Sequence, residues 1–162
     1  LVTIKKYISS NNSIYGIHGK LGNIFSLNNN DILTDDKFAL GGRSLRGFDI
    51  FGAGPRNSRT SYIGGNNLAI LKLDYSYEIT RQSDFPFYLN IFNDYGLVWE
   101  NKTAPTQSDN NIRSSVGFGI KYYSPVGPIG FTWGFPIMDE EYDIKRMFLF
   151  SVGNLDWNYL IL

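Results

Sequence analysis

Apolar and polar residues alternate along several separate stretches of this chain, most regularly between Ile63 and Thr80. Ala69, Leu71, Leu73, Tyr75, Tyr77 and Ile79 fall on one side there, and Lys72, Asp74, Ser76 and Glu78 on the other. A repeat of two is the side-chain period of an extended strand, so the stretch predicts a β-strand with one apolar and one charged face. Phe87 to Trp99 repeats the pattern, with Leu89, Ile91, Tyr95, Leu97 and Trp99 opposed to Asn90, Asp94 and Gly96. Ile112 to Tyr123 sets Val116, Phe118, Ile120 and Tyr122 against Ser115, Gly117, Gly119 and Lys121. Ile129 to Ile137 sets Ile129, Phe131, Trp133 and Phe135 against Gly130, Thr132 and Gly134. A last strand is predicted from Arg146 to about Trp157, with Phe148, Phe150 and Val152 outward. Near the start, Leu1 to Ser10 reads as the end of a strand, Ser9 to Asn12 as a short turn, and Ser13 to Leu27 as a less regular strand.

The connections alternate in length. A long segment from Asn28 to Tyr62 is followed by a short polar turn at Thr80 to Pro86 and a polar loop at Glu100 to Asn111. A tight turn on Pro and Gly chemistry at Ser124 to Pro128 and an acidic loop at Pro136 to Lys145 complete the set. Membrane-spanning β-barrels place short turns on one side and longer loops on the other, and strands of roughly 9 to 13 residues suit a tilted crossing of the hydrocarbon layer. A soluble antiparallel meander explains the alternating faces but gives no reason for long loops at one end only. The fold class predicted is therefore all-β: an antiparallel transmembrane β-barrel segment of about seven strands, with one long loop.

Composition narrows the picture further. Lys plus Arg equals Asp plus Glu, 15 against 15, so no basic field points to nucleic acid. No cysteine is present, which removes disulfides, thiolate nucleophiles and cysteine metal sites together. The lone His18, without a carboxylate cluster, reads as a structural residue. Aromatic residues make up 16% of the chain, as expected where strands face an apolar medium with aromatics at its boundary, although a soluble all-β protein permits the same composition. No run approaches the roughly 20 apolar residues of a membrane-crossing helix. Leu1 opens without a methionine or a signal-like segment, so the chain is expected to be a mature piece or an internal fragment.

Candidate chemistry concentrates in the long loop. From Asn28 to Tyr62 there is no strand-like alternation, and an ordered loop of roughly 35 residues is more often functional than connective. Its centre is Gly41-Gly42-Arg43-Ser44-Leu45-Arg46-Gly47-Phe48, followed by Phe51-Gly52-Ala53-Gly54-Pro55-Arg56. Glycines allow turns closed to other residues, and Arg46 offers a planar fork that holds carboxylates bidentately. Asp74 and Asp94 lie on the polar faces of successive strands, where a carboxylate needs a partner or water. An arginine on a loop that folds back could supply that partner; the plain alternative is two aspartates lining a wet interior. The glycines are not a phosphate cradle, because neither a strand-to-helix transition nor a Gly-Lys-Ser/Thr ending follows them. Asp139, Glu140, Glu141 and Asp143 lack the spacing of a calcium loop and read as a solvated stretch. Neither a metal site nor a cofactor site emerges.

GGRSLRGF followed by FGAGPR resembles the loop signature of the BamA family, barrels that insert other proteins into bacterial outer membranes. IGGNNLAILKLDY, FNDYGLVW and SVGFGIKYYSPVGPIGFTWGFPI follow in the family's order, so the resemblance covers nearly the whole chain, most securely Phe38 to Gly153. It implies the C-terminal half of a larger barrel, residues 1–162 here, without the periplasmic POTRA domains. Gly41, Gly42, Leu45, Gly47 and Phe48 would form the signature loop, and Arg46 would anchor it to Asp74 and Asp94 on the inner wall. Met147, Phe148, Leu149, Phe150, Ser151, Val152 and Gly153 would be the last-strand side of a lateral gate. Family barrels close on an aromatic residue, a part that Trp157 would take here. The function implied is assembly of β-barrel proteins in the bacterial outer membrane, with no enzymatic reaction and no cofactor. The implied partners are unfolded outer-membrane clients, accessory assembly lipoproteins, and outer-membrane lipids with lipopolysaccharide. A TamA-like or two-partner secretion transporter shares the fold but moves a polypeptide through the lumen. A small structural outer-membrane barrel and a soluble β-sandwich complete the alternatives.

Overall fold

The computed structural model describes residues 1–27, 32–56, 61–80, 84–100, 111–125 and 127–153. Nine strands occur among them: β1 (Val2–Ser10), β2 (Ser13–Asn23), β3 (Gly47–Phe48), β4 (Asn67–Glu78), β5 (Phe87–Trp99), β6 (Arg113–Ser124), β7 (Gly127–Met138), β8 (Lys145–Arg146) and β9 (Phe148–Val152). Seven form one antiparallel sheet in the order β1-β2-β4-β5-β6-β7-β9, so every long strand pairs with its neighbour along the chain. The short β3 and β8 pair with each other and belong to loops.

The register fixes which residues share a face. Ile8, Tyr15, Tyr75, Ile91, Phe118, Trp133 and Phe148 are directly opposite one another in a row that crosses all seven strands. Leu71, Leu73, Leu89, Ile120 and Phe131, on the same face, are all exposed. Aromatic pairs bridge adjacent strands on it, including Phe118 with Trp133 at 5.5 Å and Phe131 with Phe150 at 5.3 Å between ring centroids. The opposite face is inverted: Asp74, Ser76, Asn90, Asp94, Arg113, Ser115 and Lys121 are buried. Apolar residues outside and polar residues inside is the reverse of a water-soluble sheet.

The polar face is covered by the long loop, which runs from Ile24 to Asn66 between β2 and β4. Leu40, Leu45, Phe48 and Ala53 of the loop pack on Leu68, Ile70 and Val98 of β4 and β5, with Phe38 at the edge. This cluster is the hydrophobic core of the described residues, and it lies between loop and wall. Isolated bridges join Phe38 to Gly65, Leu40 to Ala53 and Arg56 to Tyr62, so the loop's backbone polar groups find partners away from water.

Three expectations need correction. The last strand does not start at Arg146: Lys145 and Arg146 pair with Phe48 and Gly47 of the loop, and the sheet resumes at Phe148. The acidic stretch is not wholly solvated either, because the Asp143 side chain is 1% exposed and paired with Arg113 at 3.0 Å. The strand at Ile63 starts four residues later, at Asn67, since Gly64 turns at a φ of 74° and Gly65 bridges to Phe38 of the loop. Residues 81–83 of the turn at Thr80 to Pro86, and residues 101–110 of the loop at Glu100 to Asn111, lie outside the described residues. So do residues 28–31 and 57–60 of the long loop, Val126, and the stretch that contains Trp157.

Candidate functional site

The centre of the loop–wall contact is a row of directly paired inner-face positions: Tyr7, Gly16, Asp74, Phe92, Gly117 and Gly134. Period-two geometry sets Asp94 two residues beyond Phe92 on the same face of β5. Two carboxylates on adjacent strands thus flank one aromatic ring.

Arg46 occupies that seat. Its Nε donates to Asp94 Oδ2 at 2.8 Å and its second terminal nitrogen to Asp94 Oδ1 at 2.5 Å, the side-on fork expected of a guanidinium with a carboxylate. The remaining terminal nitrogen donates to Asp74 Oδ1 at 2.9 Å, and the Arg46 backbone N–H adds a bond to Asp94 Oδ2 at 3.1 Å. The guanidinium carbon lies 3.6 Å from the centre of the Phe92 ring, a cation–π contact strengthened by desolvation. All three charged side chains are shut away, with 8%, 6% and 0% exposure for Arg46, Asp74 and Asp94. Burial by itself would lower the Arg46 pKa, but Asp94 and then Asp74 outweigh it and raise the value, so the group is a fixed cation.

Glycines make the close approach possible. A Cβ on Gly117 would stand 2.0 Å from the Trp133 carbonyl oxygen and 2.4 Å from the Phe92 ring, so both take up the space a side chain would need. A Cβ on Gly134 would stand 2.6 Å from the backbone nitrogen of Gly47, so loop and wall touch backbone to backbone. Gly47 itself has φ of 94°, a conformation that costs other residues strain. Gly41 and Gly42, also at positive φ, make the turn in which Ser44 Oγ donates to the Gly41 carbonyl at 2.8 Å. Leu45 and Phe48 flank Arg46 and anchor it in the apolar cluster, each buried to 1% exposure or less.

The structure therefore brings Arg46, Asp74 and Asp94 into one contact and sets Gly41, Gly42, Leu45, Gly47 and Phe48 around it. Met147 to Gly153 are elsewhere, on the outer strand of the sheet: Phe148 to Val152 form β9, with Met147 and Gly153 flanking it. Sequence reasoning missed Phe92, Gly117 and Gly134. A signal for Phe92 existed, because Phe92 and Asn93 invert the β5 alternation, apolar on the polar face and polar on the apolar one. Among the described residues no three His, Cys, Asp or Glu side chains converge in a metal-holding group.

The family model described as the Omp85 superfamily domain matches residues 2–155. The chain belongs to the Omp85 superfamily. It is 29% identical over 144 residues to the outer membrane protein assembly factor BamA of Nitratidesulfovibrio vulgaris, covering 85% of this chain and 18% of that protein. It is also 29% identical over 157 residues to a SAM50-like protein of Schizosaccharomyces pombe, covering 92% of this chain and 33% of that protein. The solved structure of BamA from Haemophilus ducreyi lacking POTRA domains 1-3 matches with a TM-score of 0.74 at 23% identity, over 91% of this chain and 33% of that one. The chain thus spans a third or less of the length of these relatives. As an Omp85 segment of the bacterial outer membrane, the sheet turns its exposed apolar face to lipid and its polar face, with the loop, to the barrel interior.

Proposed function

We propose that the full-length protein carrying this chain is an outer-membrane protein assembly factor, which folds β-barrel clients and inserts them into the outer membrane. The observation that carries the reading is the buried contact of Arg46 with Asp74 and Asp94, which fixes the signature loop against the inner wall of a sheet whose last strand is β9. A strand edge presents N–H and C=O groups that an incoming strand can bond, so it is a template as well as a hazard. In this reading Met147 to Gly153 form one side of a lateral gate, and the Arg46 contact with Asp74 and Asp94 braces the barrel so that the edge is held for pairing. Relatives named as assembly factors support the same assignment. Clients, accessory lipoproteins and lipopolysaccharide are the partners this reading requires, and no group on the chain is given a catalytic role.

The test is reconstitution. Proteoliposomes holding the full-length protein should accelerate membrane insertion of an unfolded β-barrel client over protein-free liposomes, and Arg46→Ala should remove most of that gain while the protein itself is still recovered folded. A protein that instead passes an unfolded polypeptide into the vesicle interior without inserting it would be a transporter, and the assembly reading would be withdrawn.

A further inference from the structure

The loop between β7 and β9 is more tightly bound to the signature loop than its exposed, acidic sequence suggests. Gly47 and Phe48 pair with Arg146 and Lys145. Beyond that ladder, the Asp49 N–H donates to the Ile144 carbonyl at 2.9 Å and the Ile144 N–H to the Gly52 carbonyl at 2.8 Å. An exposed ion pair joins Arg146 to Asp49 at 3.2 Å. Beneath these contacts Arg113, at the start of β6, donates from Nε to Asp143 Oδ2 at 3.0 Å, and both side chains are 1% exposed. The same carboxylate oxygen accepts the Glu140 N–H at 2.9 Å, which closes the turn of the loop. The chain then has only Met147 between this clamp and the first residue of β9, and the Met147 carbonyl accepts the Gly134 N–H at 2.8 Å. Gly134 is also the point where Gly47 touches the wall.

We infer that residues 139–147 form a linkage through which the Arg46-bearing loop sets the position of the first residues of β9, with Asp143 and Arg113 as its positioning residues. The inference deepens the assembly reading and rests on it for its purpose: the linked element is the edge proposed to receive an extended polypeptide strand. Neither Asp143 nor Arg113 would touch that strand. Their effect passes through the backbone ladder, in which one buried ion pair fixes the turn and the turn fixes where β9 begins. A buried pair suits this, since its geometry is set by desolvation rather than by flexible surface contact.

Amide hydrogen exchange on the full-length protein in lipid nanodiscs tests the linkage without any client. Asp143→Asn should raise exchange across Met147 to Ser151 by about tenfold or more, while β4 and β5 keep their protection. Arg46→Ala should raise exchange at the same β9 residues, although Arg46 bonds to β4 and β5. The double variant should show no more than about the larger single effect, because perturbations along one linkage are not additive. Ile144→Pro, which removes the N–H that bonds Gly52, should reproduce the β9 effect with the Arg113–Asp143 pair intact; Ile144→Ala, which keeps that N–H, should not. Unchanged β9 protection in Asp143→Asn and Ile144→Pro would overturn the inference, as would effects of Arg46→Ala and Asp143→Asn that multiply independently. Failure of client insertion by the unsubstituted protein, with the exchange pattern as expected, would remove the assembly reading and leave the linkage standing.

Discussion

Replacing Arg46 with alanine removes three side-chain hydrogen bonds and a cation over a ring, and leaves two carboxylates facing each other in a dry seat. Summing charge-assisted bonds at about 1.5 to 3 kcal/mol each overstates the loss, because the arginine's own desolvation disappears with it. The better guide is the cost of breaking a buried ion pair from one side, about 3 to 5 kcal/mol. Asp94, with a side chain 0% exposed, places this case at the upper part of that range. At about 1.4 kcal/mol per factor of ten, the docked state of the loop should lose a hundredfold to a few thousandfold of its population advantage. The strand ladders are untouched, so the sheet should survive while the loop undocks. Amide exchange at Leu45 to Phe48 reads this directly and should rise by at least about a hundredfold. Arg46→Lys keeps the charge but not the planar fork, and should fall between the two. Protection of Leu45 to Phe48 unchanged to within tenfold in Arg46→Ala would refute the reasoning, and would mean that the apolar cluster alone holds the loop.

Three further outcomes follow from the same contacts. Gly134→Ala should cost about 1 to 3 kcal/mol of loop docking, since the added methyl meets the Gly47 backbone rather than a movable side chain; limited proteolysis within the loop should speed up accordingly. Leu40→Ala, at a residue 1% exposed in the loop core, should cost about 2 to 5 kcal/mol and lower the temperature at which the folded band is lost on unheated gels. Ile91→Arg, at the middle of the outward-facing row, should cost about 2 to 4 kcal/mol in reversible unfolding from liposomes, whereas an unchanged midpoint would place that face away from lipid.

The strands were legible because period-two alternation survives in single segments. β5 was bounded correctly at Phe87 and Trp99, because Leu89, Ile91, Tyr95 and Leu97 fall on one face and Asn90, Asp94 and Gly96 on the other. Arg46, Asp74 and Asp94 were legible as a candidate contact through the resemblance and through the need of inward carboxylates for a cation. The short β3–β8 pairing was not legible, because two residues carry no period. Asp143 was misread for a related reason: it stands in a run of acids that resembles a solvated loop, and its partner Arg113 is 30 residues away. Gly117 and Gly134 looked like the small side of ordinary strands. Only the structure shows that a ring and a loop backbone occupy the space their missing side chains leave.

The most direct test of the account is disulfide trapping between an arrested client and cysteines placed singly in the full-length protein, along β9 from Phe148 to Val152 and on the inner wall at Asn90 and Ser76. The account predicts trapping at successive β9 positions in one antiparallel or parallel register with the client's strand, and none at the inner wall. Trapping at Asn90 and Ser76 with β9 silent would place the client in the lumen and contradict an assembly edge.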